Sequence, residues 1–123
     1  YRRRCSACKP AAAIMRRMNA PLETVLRDYR ARLEQIYGPR LVRLVLFGSR
    51  ARGDAEPDSD IDVMIVLEGP LDDWAETQRT TKVTSEVSMR YETDISRMFC
   101  TPDDWVRKQS LFYEAVREEG VIV

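Results

Sequence analysis

Two short apolar runs constrain the fold of this 123-residue chain more than any other feature. Residues 41–47 (LVRLVLF) and 60–67 (DIDVMIVL) are rich in β-branched side chains and bounded by turn-forming residues, which is typical of buried strands. A Gly-Ser turn follows the first run, and alternation within the second places Asp60 and Asp62 on one face. The two runs therefore predict two strands of one sheet, with the turn and both carboxylates at the same edge.

Helical patterns surround these strands. Apolar residues recur at helical spacing over residues 21–37, and a Gly-Pro pair then ends the pattern. Residues 71–89 predict a second helix. Thr80 and Thr81 have low helix propensity, so an interruption of the helix there is the alternative. The predicted core contacts are Leu22, Val25, Leu26, Tyr29, Leu33 and Ile36 in the first helix, and Leu71, Trp74, Ala75, Val83 and Val87 in the second.

The rest of the chain completes a mixed α/β pattern. Residues 91–99 alternate as a third strand, and Thr101, followed by proline, caps a helix that ends at Gly120. Residues 121–123 form a short terminal strand or tail. The apolar residues of this last helix are Trp105, Val106, Leu111, Phe112 and Val116. The predicted fold class is α/β (α+β), a small mixed β-sheet flanked by helices over residues 21–123.

Residues 1–20 differ from the rest of the chain. They are basic and Ala-rich and show no sustained periodicity, which predicts a poorly ordered N-terminal extension. A basic arm that contacts a partner is the alternative. Residues 1–53 hold 13 of the 20 basic residues but only 3 of the 20 acidic ones, so cationic and anionic groups meet near the Gly-Ser turn.

Composition excludes several classes of function. The chain has no histidine, which rules out Ser-His-Asp triads and His-ligated zinc and leaves oxygen ligands for a metal such as magnesium or manganese. Cys5, Cys8 and Cys100 are interpreted as free thiols, with a metal site or redox pair as the alternative. The net charge of zero argues against binding to long nucleic acids. No apolar run is long enough to span a membrane, and a cytoplasmic protein is expected.

The Gly-Ser turn has the chemistry of a phosphate site. Gly48 lets the backbone approach a ligand closely, and Ser49 offers a hydroxyl at the start of a helical turn. Arg50 and Arg52 add two guanidinium groups suited to bidentate phosphate contacts. Each feature alone has an ordinary structural explanation, but their order along the chain favours nucleotide binding.

The carboxylates that follow have the chemistry of a metal site. On one strand face, Asp60 and Asp62 have Cβ atoms about 7 Å apart, a separation at which they can share one or two divalent cations. Asp94, on the predicted third strand, is the candidate for a third metal ligand and for the general base. The alternative interpretations of Asp94 are a surface residue or a salt-bridge partner of Arg97.

Residues 46–66 (LFGSRARGDAEPDSDIDVMIV) resemble the signature of the DNA polymerase β-type nucleotidyltransferase superfamily. The chain is most similar to the minimal nucleotidyltransferase branch, whose single-domain members often pair with a separate helical HEPN protein in toxin–antitoxin modules. Residues 112–123 also resemble the ends of such domains. The similarity extends over roughly residues 22–123 and implies the nucleotidyltransferase fold.

The resemblance also implies residue roles. Gly48 and Ser49 would hold the triphosphate, and Arg52 matches an arginine of the family's turn. Asp60 and Asp62 would bind the magnesium pair. Asp94 falls on the strand of the third carboxylate and would be a metal ligand or base, whereas Arg50 lies where the family varies.

Three functions follow from this resemblance. The first is a Mg²⁺-dependent (or Mn²⁺-dependent) nucleotidyltransferase that moves AMP from ATP to a hydroxyl of a protein partner, a HEPN-type toxin. The second is an antitoxin that neutralises its partner by occlusion, without catalysis. The third is transfer to a small molecule such as an antibiotic, which generally requires a further domain. Assembly of the chain into a homo-oligomer is a further alternative that the sequence leaves open.

Overall fold

The computed structural model describes residues 20–53 and 59–123, and the side chains from Leu22 onward in the first of these ranges. The predicted N-terminal extension, with Cys5 and Cys8, lies outside the described residues apart from Ala20. Most of the acidic turn between the two predicted strands, residues 54–58, also lies outside them. None of the helices in the described part of the chain combines the length and apolarity needed to cross a membrane.

Five α-helices and four strands make up the described part of the chain. The helices are α1 (Ala20–Tyr37), α2 (Ser49–Arg52), α3 (Asp73–Tyr91), α4 (Pro102–Arg107) and α5 (Leu111–Glu119). The strands are β1 (Leu41–Phe47), β2 (Ile61–Leu67), β3 (Ile95–Cys100) and β4 (Val121–Ile122). A single 3-10 turn, Gly38–Arg40, joins α1 to β1.

The strands form one mixed sheet in the order β3-β2-β1-β4. β1 pairs antiparallel with both β2 and β4, and β2 pairs parallel with β3 through the crossover helix α3. This arrangement confirms the predicted α/β class and the small mixed sheet. Because β1 and β2 are antiparallel neighbours, the end of β1 and the start of β2 lie at the same edge of the sheet.

The two central strands are buried on both faces. Alternate residues of β2, including Val63 and Ile65, pack in a cluster with α1 and part of α3. Met64 and Val66 face the opposite cluster, where Trp105 of α4 and Val116 of α5 cover the sheet. The face of β2 that carries Asp62 therefore continues into apolar surroundings.

Helix α1 buries a stripe that differs from the predicted one at its end. Ile36 was expected in the core, but 36% of its surface is exposed, whereas Tyr37 is buried. The buried positions are 22, 25, 26, 29, 33 and 37, a spacing that keeps one face of the helix on the sheet. The hydroxyls of Tyr29 and Thr84 share a hydrogen bond of 2.7 Å that links α1 to α3.

Helix α3 runs without the break that Thr80 and Thr81 left open, and its buried face is mostly polar. Glu76, Thr80, Thr84 and Val87 are buried, whereas Trp74 is 73% exposed. The prediction of Trp74 in the core is wrong because Trp74 lies two residues from Glu76. Two residues are about 200° of helical rotation, so the indole is on the opposite face.

The boundaries of β3 also differ from the prediction. Tyr91 and Glu92 were expected to begin the strand, but Tyr91 ends α3 and Glu92 adopts a left-handed conformation with φ of 52°. The hydroxyl of Tyr91 donates to Asp28 of α1, which holds the end of the helix. The strand itself begins at Ile95.

The predicted last helix is in fact two helices. Lys108 has extended backbone angles that end α4, and the Ser110 hydroxyl accepts from the Tyr113 N–H to start α5. The break changes which side chains are buried, because the two helices no longer share one face. Trp105 and Val116 are buried as predicted, but the predicted core residues Val106, Leu111 and Phe112 are exposed.

The carboxylate of Glu76 is buried between α1 and α3. It accepts from the Tyr37 hydroxyl at 3.0 Å and forms an ion pair with Arg79 at 2.9 Å, while its side chain is only 2% exposed. Burial and this carboxylate raise the pKa of Tyr37. The network joins the end of α1 to the start of α3, at the end of the sheet opposite the Gly-Ser turn.

We expect Glu76→Ala to lower the free energy of unfolding by about 2 kcal/mol, because the hydroxyl of the buried Tyr37 would lose its acceptor. Urea denaturation followed by circular dichroism measures the change. Glu34→Ala is the control, because Glu34 forms a half-exposed ion pair with Arg30 and should change stability by less than about 1 kcal/mol. Equal effects of both substitutions would contradict the role assigned to the buried carboxylate.

Candidate active site

The Gly-Ser turn begins where β1 ends. Phe47, the last residue of β1, lies opposite Asp62 in the antiparallel ladder with β2. Gly48 follows with φ of 77° and ψ of −161°, which L side chains rarely adopt, and Ser49 starts the short helix α2. Gly53, with φ of 84°, ends that helix. The glycines thus turn the chain over the edge of the sheet at which the carboxylates lie.

Gly48 and Asp62 are in close contact. A Cβ added at Gly48 would overlap the Asp62 Oδ2 atom, so only glycine fits beside this carboxylate. Asp60 lies one residue before β2 and is exposed, whereas Asp62 is partly buried. Burial, followed by repulsion from Asp60, raises the pKa of Asp62, and Arg52 partly opposes this shift. The structure therefore brings together the turn and the two carboxylates that the sequence predicted.

Asp94 lies at the same edge but outside the strand on which it was predicted. It precedes β3 by one residue, its side chain is exposed, and its carbonyl accepts from the Ile61 N–H at 2.8 Å. In the parallel ladder, Asp62 pairs with Ser96. Among the described residues, no group of three or more acidic or cysteine side chains is arranged to hold a metal ion. Asp94 is therefore next to the carboxylate pair in the sheet without completing a preformed cluster.

Arg50 connects the two ends of the segment that joins α2 to β2. Its Nε and Nη2 atoms donate to the carbonyl oxygen of Ser59 at 3.1 and 2.8 Å. Ser59 immediately precedes Asp60, so this contact fixes the backbone before the first carboxylate relative to the turn. Arg50 thus has a structural role here, beside the nucleotide-binding role predicted from the sequence.

Arg52 contacts a residue that the sequence did not single out. Its Nη1 atom lies 3.1 and 3.2 Å from the two carboxylate oxygens of Glu119, the last residue of α5. The same carboxylate accepts from the Gly48 N–H at 3.4 Å, which is a long hydrogen bond. The pairing of β4 with β1 brings Glu119 here. No local motif marks this residue; its position depends on the pairing of strands 75 residues apart in the chain.

This arrangement suits a divalent cation held by Asp60 and Asp62. Oxygen ligands of this type bind magnesium or manganese, and a cation would remove the repulsion that raises the pKa of Asp62. The cationic side of the same edge, Arg52 and the backbone of the Gly-Ser turn, suits phosphate oxygens. Together the two halves can bind a phosphorylated ligand and its counter-ion.

Residues 26–118 match the family described as nucleotidyltransferase domain. The chain belongs to this family. The Gly-Ser turn and the Asp60–Asp62 pair lie within the matched region of this nucleotidyltransferase domain. The recognition made from the sequence is thereby confirmed at the level of the family and its enzymatic class.

Curated relatives of this nucleotidyltransferase domain come from Methanocaldococcus jannaschii. One, provisionally named protein adenylyltransferase MJ0141, is 33% identical over 72 residues, which cover 58% of this chain and 72% of the relative. Another, provisionally named protein adenylyltransferase MJ1305, is 27% identical over 84 residues, which cover 68% of this chain and 57% of the relative.

Solved structures share the fold of this nucleotidyltransferase domain. A toxin–antitoxin structure with AMP-PNP superposes with a TM-score of 0.54 at 18% identity and covers 76% of this chain and 68% of its own. A variant of the toxin–antitoxin MntA-HpeT gives a TM-score of 0.53 at 21% identity, covering 79% and 70%. A nucleotidyltransferase-like protein from Sulfolobus solfataricus gives a TM-score of 0.52 at 19% identity and covers 91% of this chain and 84% of its own. These similarities confirm the predicted nucleotidyltransferase fold.

Replacement of Gly48 should damage the site. We expect Gly48→Ala to lower the free energy of unfolding by about 1–3 kcal/mol and to displace the Asp62 side chain, because the new methyl group has no room at this backbone conformation. Chemical denaturation and Mg²⁺-ATP binding would measure the two effects. Gly53→Ala is the matched control: its φ is also positive, but nothing lies within 4 Å of its added Cβ. Binding should therefore suffer at position 48 far more than at position 53.

The stability of the domain should depend on the charge of Asp62. A raised pKa in the folded state means that folding is favoured most below the ordinary pKa of 3.8, and that this contribution is lost as the pH rises through the raised value. Asp62→Asn should therefore stabilise the protein at pH 7 in EDTA, and the gain should shrink towards pH 4. Urea denaturation across this pH range measures it, with the exposed Glu118→Gln as control. A gain that is the same at every pH would refute this explanation.

Proposed function

We propose that this protein is a magnesium-dependent nucleotidyltransferase that moves AMP from ATP to a hydroxyl of a protein partner. The contact between Gly48 and Asp62 carries the proposal, because it places a phosphate-binding turn and a pair of metal-binding carboxylates side by side. The names of the Methanocaldococcus relatives support a protein as the acceptor of the nucleotide. The AMP-PNP in one structure of similar fold supports an adenine nucleotide as the donor.

The proposed roles follow from the geometry of the edge. Gly48, Ser49 and Arg52 bind the triphosphate, and Arg50 holds the adjoining backbone through Ser59. Asp60 and Asp62 hold magnesium, with Asp94 as the additional ligand or base. When bound, the metal neutralises phosphate charge and polarises the reacting oxygens.

The proposed reaction is a single displacement at the α-phosphorus. The acceptor hydroxyl oxygen forms the new P–O bond, while the bond from the α-phosphorus to the bridging oxygen breaks and pyrophosphate leaves with those electrons. The hydroxyl proton passes to a carboxylate, for which Asp94 is the candidate because its side chain is exposed at this edge. The backbone of the turn and Arg52 stabilise the charge on the departing phosphates.

The biological setting that we propose is that of an antitoxin acting on a HEPN-type toxin in the cytoplasm. Two structures with this fold are toxin–antitoxin complexes, which supports a protein partner. Phe112, packed edge-to-face on Phe47 with ring centroids 5.8 Å apart, is 40% exposed beside the end of β1. Together with its exposed neighbour Leu111, it offers apolar surface for a protein beside the end of β1.

Transfer should depend on the two carboxylates. With ATP labelled at the α-phosphate, magnesium and a candidate HEPN-type toxin as the acceptor, wild-type protein should label that partner. Asp60→Ala/Asp62→Ala should reduce the rate at least about 100-fold, because the metal site is lost. Asp103→Ala is the control, since Asp103 is an exposed aspartate paired with Arg107 away from the site. Autoradiography after electrophoresis measures the product.

The same variants separate catalysis from occlusion. If the partner is never labelled, or if the double variant labels it as well as wild type does, the catalytic proposal fails. If the double variant still neutralises the partner's toxicity, binding alone is sufficient. The exposed apolar residues Leu111 and Phe112 at the start of α5 are the observation that favours this second function. If binding alone neutralises the toxin, Leu111→Ser/Phe112→Ser should abolish neutralisation.

A further inference from the structure

Glu119 occupies a defined position beside the Gly-Ser turn. It ends α5, and the next residue, Gly120, leads directly into β4. This strand pairs with β1 on the side away from β2. A Cβ at Gly120 would lie 2.5 Å from the Val116 carbonyl oxygen and 2.7 Å from Val45 Cγ1. The backbone after Glu119 therefore packs tightly on β1, and this packing fixes where the glutamate side chain begins.

The carboxylate of Glu119 contacts two hydrogen-bond donors. One is the Arg52 guanidinium, at 3.1 and 3.2 Å, and the other is the Gly48 N–H, at 3.4 Å. Both donors belong to the turn that the proposed function assigns to the triphosphate. A negatively charged oxygen of the protein itself thus lies where the proposed substrate would place its phosphate oxygens.

We propose that Glu119 is an internal competitor of the triphosphate, which must displace its carboxylate from Arg52 and Gly48 in order to bind. This inference rests on the proposed function, because it takes the turn to be the phosphate site. Glu119 would then set the affinity for nucleotide and hold Arg52 in place while the site is empty. It is a positioning residue, not a catalytic one.

The strength of the contacts fits an exchange of this kind. The side chain of Arg52 is 46% exposed and that of Glu119 is 24% exposed, so water screens their attraction and either group can turn away. The Gly48 contact is long. A triphosphate carries more negative charge than one carboxylate and presents several oxygens to the same donors, so it can replace Glu119 at a modest cost.

Titration calorimetry with a non-hydrolysable ATP analogue and magnesium tests this on the full chain. We expect Glu119→Gln to bind about two- to fivefold more tightly than wild type, because the neutral side chain competes weakly. Glu118→Gln, an exposed neighbour in the same helix turn, should bind like wild type. In an Arg52→Gln background, which itself should bind less tightly, the gain from Glu119→Gln should become smaller, since one shared donor is missing.

The outcomes separate this inference from the function on which it rests. If wild type binds the analogue and Glu119→Gln binds equally or less tightly, the competitor role is refuted while the nucleotide site stands. If neither protein binds, both fail. If Glu119→Gln is poorly folded by circular dichroism, Glu119→Asp replaces it. Its shorter side chain would reach the donors less well, and it should also tighten binding if the inference holds.

Discussion

The close approach of Gly48 to Asp62 is the constraint on which the rest of the site depends. The antiparallel register of β1 and β2 sets it, since that register puts Phe47 opposite Asp62 and leaves the next residue above the carboxylate. In a site of this kind, a carboxylate suited to a cation and a turn suited to an anion are in direct contact. Burial and, after it, repulsion from Asp60 raise the pKa of Asp62, which disfavours its charged form. The domain thus keeps an unfavourable charge arrangement that a bound metal would relieve.

The surrounding elements contact this edge from three directions. Arg50 ties the start of β2 to the turn, the crossover through α3 delivers the strand that follows Asp94, and β4 places Glu119 on the remaining side. The contacts of β3 and Glu119 join segments far apart in sequence, so the site is a property of the folded sheet. The solved toxin–antitoxin structures share this fold at 18% and 21% sequence identity.

The sequence predicted what local chemistry determines and missed what long-range packing determines. The turn, the strands and the Asp60–Asp62 pair follow from glycine, alternation and charge, and they were correctly placed next to one another. Trp74 was wrongly assigned to the core because the buried face of α3 is made of polar residues paired across helices, Glu76 among them. Glu119 has no signal of its own, because only the pairing of β4 with β1 brings it to the turn.

Strand β4 has a consequence for the dynamics of the domain. It is two residues long, is an edge strand of the sheet, and pairs with β1 at Val45 and Leu46, beside one further hydrogen bond from the Val123 N–H to the Leu44 carbonyl. Short edge strands open locally at a small fraction of the free energy of global unfolding. Each opening would carry Glu119 away from the turn with the strand. The charge environment of the catalytic edge would therefore fluctuate with the fraying of β4, and amide hydrogen exchange at Val121 would report on both.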